Sequence, residues 1–145
     1  MPSQIKVPQL PLNTGAEIPQ IGFGTFQVPP EDTAETVRTA LDAGYRSIDT
    51  AAAYGNEEGV GRAVVDSDLS REELFVTTKL WNKDHGRQSA LRAFDAGLGR
   101  LGLWRLDLRH LILGRAAALG GVVVLETSDQ LGLLAALWQR PLLEL

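Results

Sequence analysis

The stretch Gly44-Tyr45-Arg46-Ser47-Ile48-Asp49-Thr50-Ala51-Ala52-Ala53-Tyr54-Gly55-Asn56-Glu57-Glu58-Gly59-Val60-Gly61 sets the fold class. Tyr45 to Asp49 reads as a short strand. Glu57 to about Asp66 reads as a helix, with Val60, Ala63 and Val64 inward at spacings of three and four. The small residues between them form a loop. Working back towards the N-terminus, Pro29-Pro30-Glu31-Asp32 opens an earlier helix, because proline and acidic side chains suit a first helical turn. Val37, Ala40 and Leu41 supply its apolar face, and Gly44 ends it. Ile21 to Phe26, broken by Gly22 and Gly24, reads as a strand running into a loop where backbone approaches something closely. Gln9 to Leu12 and Glu17 to Pro19 flank Asn13-Thr14-Gly15, a turn composition that predicts a small hairpin.

Towards the C-terminus, Ser70-Arg71-Glu72-Glu73 has the pattern of a capped turn leading into a strand over Leu74 to Lys79. The next helix spans roughly Gln88 to Leu101, with Leu91, Phe94, Leu98 and Leu101 on one stripe. A fourth strand covers about Leu106 to Leu111. Strands alternating with helices at this rhythm predict parallel pairing through crossover helices, so the class is α/β. Beyond about His110 the composition turns leucine-rich, without lysine and with Trp138 as its one aromatic residue. Val122 to Leu125 fits a strand there. Ser128 fits the cap of a helix striped by Leu131, Leu134, Ala135 and Trp138 and ended near Pro141. The expected organisation is therefore residues 1–110 as one unit and 111–145 as a tail of different character.

Bulk properties narrow the function classes. The 145 residues allow one domain with a sizeable core, and 44% hydrophobic with 22% charged residues is ordinary for a globular protein. A formal charge of −4 argues against nucleic-acid or anionic-membrane partners, which select basic patches. Cysteine is absent, which excludes disulfides, thiolate chemistry and sulfur-based metal sites; no metal is expected. The start lacks the apolar run of a secretory signal, and no uninterrupted apolar stretch has the length of a membrane span. A cytoplasmic protein is the expectation.

Three polar residues fall where parallel strands bring their C-terminal ends together: Asp49, Lys79 and, in the loop just beyond Asp49, Tyr54. Each alone has an ordinary reading. A strand-end aspartate is commonly a cap or ion-pair partner, a loop tyrosine commonly packs, and a strand-end lysine is commonly solvated. Together they make a proton donor. A phenol with an ordinary pKa near ~10 exchanges protons poorly at neutral pH. A neighbouring ammonium favours its phenolate, and an aspartate holds and balances that ammonium.

The Gly44–Gly61 stretch resembles the N-terminal motif of the aldo-keto reductases. Ile21-Gly22-Phe23-Gly24-Thr25-Phe26 is similar to that family's first strand and loop, and Phe75-Val76-Thr77-Thr78-Lys79-Leu80-Trp81-Asn82 to its lysine-bearing strand. The resemblance covers about residues 5 to 108. It implies a (β/α)₈ TIM barrel, of which this chain holds about the first four βα units, and NADPH-dependent reduction of a small-molecule aldehyde or ketone. By the same resemblance Tyr54 donates the proton, Lys79 lowers its pKa, and Asp49 holds the lysine and touches the cofactor ribose. Gly24 and Thr25 lie along the nicotinamide end, and Phe26 and Trp81 wall the substrate pocket. Residues 82–103 resemble the subgroup acting on small sugar-derived and diketone substrates.

The family's strand four ends on a histidine. In an ungapped match that position holds Ile112, and His110 stands two residues earlier, on the same face of a strand. His110 is thus either a substrate-orienting residue or a plain strand residue; His85 reads as an exposed loop residue. The family's cofactor-phosphate residues lie in its last two units, and nothing in residues 111–145 resembles them. The expectation is a frame-shifted or truncated tail, an open barrel edge favouring self-association, and little or no activity in the chain as written. The competing readings are an active reductase, a catalytically inactive fragment of one, and a non-catalytic binding or regulatory module.

Overall fold

Ile48 and Val76 have no exposed surface, and the burial of these two strand residues orients the rest of the chain. The structure is a computed structural model that describes residues 6–12, 15–84, 86–103, 108–111 and 123–125. Its elements run β1 (Gln9–Pro11), β2 (Glu17–Pro19), β3 (Phe23–Gly24), α1 (Pro30–Asp42), β4 (Ser47–Asp49), α2 (Glu57–Val65), β5 (Phe75–Leu80), α3 (Arg87–Leu101), β6 (Leu108–Leu111) and β7 (Val123–Leu125). Single helical turns cover Ala52–Tyr54, Arg71–Glu73 and Asn82–Asp84.

Strands β1 and β2 pair antiparallel as the expected hairpin. The main sheet has the order β3-β4-β5-β6-β7, and its first four strands are parallel. The α/β class follows from that order and the helices between its strands. The parallel pairing expected of the strands up to Leu111 is present, and β7, in the tail segment for which no direction was expected, runs antiparallel to β6. The connection over residues 112–122 falls short of the dozen or more residues a parallel return requires. The expected helix over 128–141 and the residues Asn13, Thr14, His85, Trp104, Ile112 and Trp138 lie outside the described residues.

The three helices cover the sheet face that carries Ile48 and Val76. Val37 and Leu41 of α1, Val60 and Val64 of α2, and Leu101 of α3 join those two strand residues in one buried cluster, with Phe94 and Leu98 packed at its edge. Burying each large aliphatic side chain is worth about 1.5–3 kcal/mol. Residues alternate along a strand, so Asp49, Thr77 and Lys79 fall on the opposite face. No helix among the described residues is long and apolar enough to cross a membrane.

Two strands are shorter than the sequence suggests, for reasons visible in the backbone. Tyr45 donates its N–H to the Ala40 carbonyl at 3.0 Å and Gly44 donates to Leu41 at 3.0 Å. The end of α1 therefore claims Tyr45, with Gly44 at φ 102° supplying the left-handed turn. Strand β3 is only Phe23–Gly24, because Phe26 and Gln27 turn and Gln27 takes a φ of 63°, a conformation uncommon outside glycine.

Helix α2 approaches both neighbours through glycines. A Cβ on Gly59 would lie 2.7 Å from the Thr33 Cβ of α1, and one on Gly61 would lie 1.9 Å from the Leu101 carbonyl oxygen of α3. The same helix carries a buried carboxylate. Glu57 is 2% exposed; it accepts hydrogen bonds from Arg100 Nε at 2.6 Å and from Thr78 Oγ1 at 2.6 Å. It joins α2, α3 and β5. Glu57→Ala leaves Thr78 without its acceptor and Arg100, whose side chain is 38% exposed, free to turn to water. The expected loss is about 2 kcal/mol, below the usual figure for breaking a fully buried pair, and denaturant unfolding of the variant measures it.

The turn before β5 is capped as expected. The Glu73 carboxylate accepts from the Ser70 N–H at 2.9 Å and the Ser70 hydroxyl at 3.0 Å. The backbone hydrogen bond from Ser70, then that from its hydroxyl, holds the Glu73 carboxyl below its ordinary value of 4.5. A carboxyl depressed on folding stabilises the fold above its unfolded value, and that stabilisation disappears as pH falls through the folded value. The stability difference between the wild type and Glu73→Gln should therefore be present at neutral pH and shrink below pH 4.5. Denaturant midpoints of the two proteins across that range check this.

Candidate active site

Parallel pairing brings the ends of β3, β4 and β5 to one side of the sheet. Gly24 pairs with Asp49, and Asp49 with Thr77. The ladder continues past the strands, with the Thr25 N–H donating to the Asp49 carbonyl at 2.9 Å and the Thr50 N–H to the Thr77 carbonyl at 2.9 Å. Register alone therefore sets Asp49 beside β5, two residues short of Lys79.

The Lys79 ammonium donates to the Asp49 carboxylate, and at 2.9 Å to the Thr50 carbonyl. The other carboxylate oxygen of Asp49 accepts from the Thr77 hydroxyl at 2.5 Å. The lysine side chain is 15% exposed and that of Asp49 37%, so the pair is partly shielded from water, where charge-assisted bonds are stronger than at an open surface. The same ammonium lies 5.1 Å from the centre of the Tyr54 ring. The half-buried Tyr54 sits at the end of the helical turn Ala52–Tyr54, which Gly55 closes with a φ of 68°. The structure brings Asp49, Lys79 and Tyr54 together.

The remaining candidates are distributed unevenly. Phe26, 65% exposed, stands with its ring centre 5.2 Å from that of Tyr54. Gly24 is exposed, and no heavy atom lies within 4 Å of where a side chain would start. The close approach expected there meets open space within the chain. Thr25 is fully buried, and its hydroxyl is directed to Asn56 and to the Asp49 carbonyl, each at 3.3 Å; it supports the site from beneath. Trp81 is 44% exposed with the Lys83 ammonium 4.8 Å from its ring. It borders a cleft of about 370 Å³ with Ala52, Gly55, Ala93 and Ala96, and Asp49, Tyr54 and Lys79 are not among the lining residues. His110 is the register partner of Lys79 in β6. Among the described residues no group of His, Cys, Asp or Glu side chains could hold a metal ion.

Sequence reasoning missed Asn56. An asparagine ahead of a helix ordinarily reads as a cap, but here its side chain makes no cap bond. It turns instead to Thr25, Val28 and Thr50. Thr77 was likewise silent, since its bond to Asp49 depends on strand register.

Comparison with known proteins places the chain rather than its individual site residues. The sequence profile of the Aldo/keto reductase family matches residues 20–111. An aldo-keto reductase of Mycobacterium sp. (strain KMS) is 54% identical over 101 residues, covering 70% of this chain and 37% of that protein. The glycerol 2-dehydrogenase (NADP(+)) of Saccharomyces cerevisiae is 56% identical over 99 residues, covering 68% of this chain and 31% of that protein. The crystal structure of an aldo/keto reductase from Brucella melitensis superposes with a TM-score of 0.72 at 49% identity, over 73% of this chain and 40% of that one. The chain thus spans about a third to two fifths of the length of these proteins.

Proposed function

Since this chain belongs to the aldo/keto reductase family, we propose that its described residues form the proton-donating end of an NADPH-dependent carbonyl reductase, with Tyr54 as the proton donor. Strands β3 to β6 and helices α1 to α3 are then the opening βα units of a (β/α)₈ barrel, whose reactive groups gather at the C-terminal ends of its strands. The observation that carries the reading is the Lys79 ammonium, held by Asp49 and the Thr50 carbonyl over the Tyr54 ring.

The residues present fit the cofactor. The open side of Gly24 leaves backbone free to lie against a flat ring, and the part-exposed Asp49 carboxylate has acceptor capacity for a ribose hydroxyl. Thr25 contributes by holding the loop. NADPH, when bound, supplies the hydride. The protein's share is the proton: Tyr54 Oη releases it to the carbonyl oxygen as negative charge develops there. The phenolate left behind faces a fixed ammonium, and Asp49 keeps that ammonium in place throughout. Phe26 lines the approach to Tyr54. Trp81 offers a second apolar wall, and His110, in register with Lys79, is the candidate for orienting the substrate oxygen.

Lys79→Met tests the assignment, because methionine keeps the length and removes the charge. With NADPH and a small aldehyde, alcohol formation should fall by about 10²-fold or more, the usual range for a proton-transfer partner. Alcohol formation at the wild-type rate would remove Lys79, and the ammonium-assisted phenol that carries the reading, from the mechanism.

A further inference from the structure

We infer that Asn56 is the positioning residue for Tyr54, a role that rests on the function proposed above. Asn56 is 1% exposed, and its side-chain amide makes four hydrogen bonds. The nitrogen donates to the Thr25 carbonyl at 2.9 Å and the Val28 carbonyl at 3.0 Å. The oxygen accepts from the Thr50 hydroxyl at 3.0 Å and the Thr25 hydroxyl at 3.3 Å. Two carbonyls can only accept, so they fix which end of the amide is nitrogen. Every polar site of the side chain is thereby used.

The partners explain what the amide does. Thr50 precedes the Tyr54 turn and Asn56 follows it, so the Thr50–Asn56 bond closes the base of that loop. Thr50 also offers its carbonyl to Lys79. Thr25 and Val28 bracket the turn that presents Phe26, in which Gln27 holds its left-handed conformation and the Val28 N–H returns to the Thr25 carbonyl at 3.1 Å. One buried amide therefore locks the Tyr54 loop and the Phe26 loop to each other. The Phe26–Tyr54 ring contact and the place of Tyr54 beside Lys79 are set from below. No side-chain atom of Asn56 need touch substrate or cofactor.

The test uses the whole chain labelled with 3-fluorotyrosine. The sequence has two tyrosines, so the fluorine NMR spectrum reports Tyr54 against Tyr45, whose ring packs edge-on against Phe23 at 5.8 Å. Thr50→Val removes one bond to the amide and little volume; Asn56→Ala removes all four. The Tyr54 resonance should shift or broaden in Thr50→Val while the Tyr45 resonance stays, and Asn56→Ala should enlarge the change. Where the wild type turns over, kcat should fall about tenfold in Thr50→Val at an unchanged NADPH dissociation constant, since small misplacements cost rate more than binding. A Tyr54 resonance in Thr50→Val that coincides with the wild type would overturn the inference. So would equal movement of both resonances, which would mark the amide as a general stabiliser. If Asn56→Ala does not fold, Thr50→Val decides alone. A wild type without turnover counts against the proposed reductase, and the fluorine spectra still decide whether Asn56 places Tyr54.

Discussion

Under the proposed reductase function, Tyr54→Phe should abolish carbonyl reduction while leaving the fold intact. The substitution removes one oxygen and keeps the ring, so the contact with Phe26 at 5.2 Å and the Lys79 ammonium at 5.1 Å lose no packing partner. The cooperative cluster of Ile48, Val76, Val60 and Leu101 lies on the other face of the sheet and is untouched. Loss of a positioned proton donor typically costs 10²–10⁴-fold in rate. In the proposed mechanism Lys79 and Asp49 serve that donor, so the expected loss is about 10³-fold or more in kcat. NADPH affinity should change little, because no cofactor contact is assigned to the phenol. Steady-state kinetics paired with a thermal melt separates the two effects. Equal turnover in the two proteins would place the proton donor elsewhere.

Gly61→Ala should unfold or nearly unfold the chain, a larger effect than its single added methyl suggests. The methyl would lie 1.9 Å from the Leu101 carbonyl oxygen, 2.5 Å from its carbonyl carbon and 2.9 Å from its Cα. These are backbone atoms, which cannot rotate aside. They sit at the end of α3, where Gly102 takes a φ of 62° and the Leu103 N–H closes back on the Leu98 carbonyl at 3.2 Å. The only relief is to push α2 and α3 apart, which opens the cluster around Val60, Ala63 and Leu101. Ordinary overpacking costs about 1–3 kcal/mol, and this clash should cost at least ~3 kcal/mol out of the ~5–15 kcal/mol that hold a domain together. Gly99→Ala is the matched control. It is also helical and has no atom within 4 Å of its added methyl, so it should stabilise by about 0.5–1 kcal/mol. Denaturant midpoints of the two variants should move in opposite directions.

The contrast between those two glycines shows where sequence reasoning stops. Helix α3 was legible from Leu91, Phe94, Leu98 and Leu101, yet nothing in that stripe distinguishes Gly99 from a glycine pressed against a neighbour. The α/β class and the convergence of Asp49 with Lys79 were legible because strand alternation and parallel pairing are periodic properties. The shortness of β4 was not, since it turns on Tyr45 bonding back to Ala40. Nor was the Glu57–Arg100 pair, whose members are 43 residues apart in sequence, or the inward turn of Thr25 and Asn56. Each of these depends on how packed elements face one another, and local pattern carries no record of it. The antiparallel β7 belongs to the same class of feature, fixed by a connection length that only the strand ends reveal.

The proposal that Gly24 and Asp49 face NADPH beside Tyr54 is the centre of this account. It is tested most directly by titrating the purified chain with NADPH while following tryptophan fluorescence, with Trp81→Phe as the companion protein to isolate the signal at the end of β5. The account predicts saturable quenching with a dissociation constant on the order of micromolar, the ordinary scale for enzyme ligands, weakened in Asp49→Ala. An unchanged signal up to millimolar NADPH would contradict it.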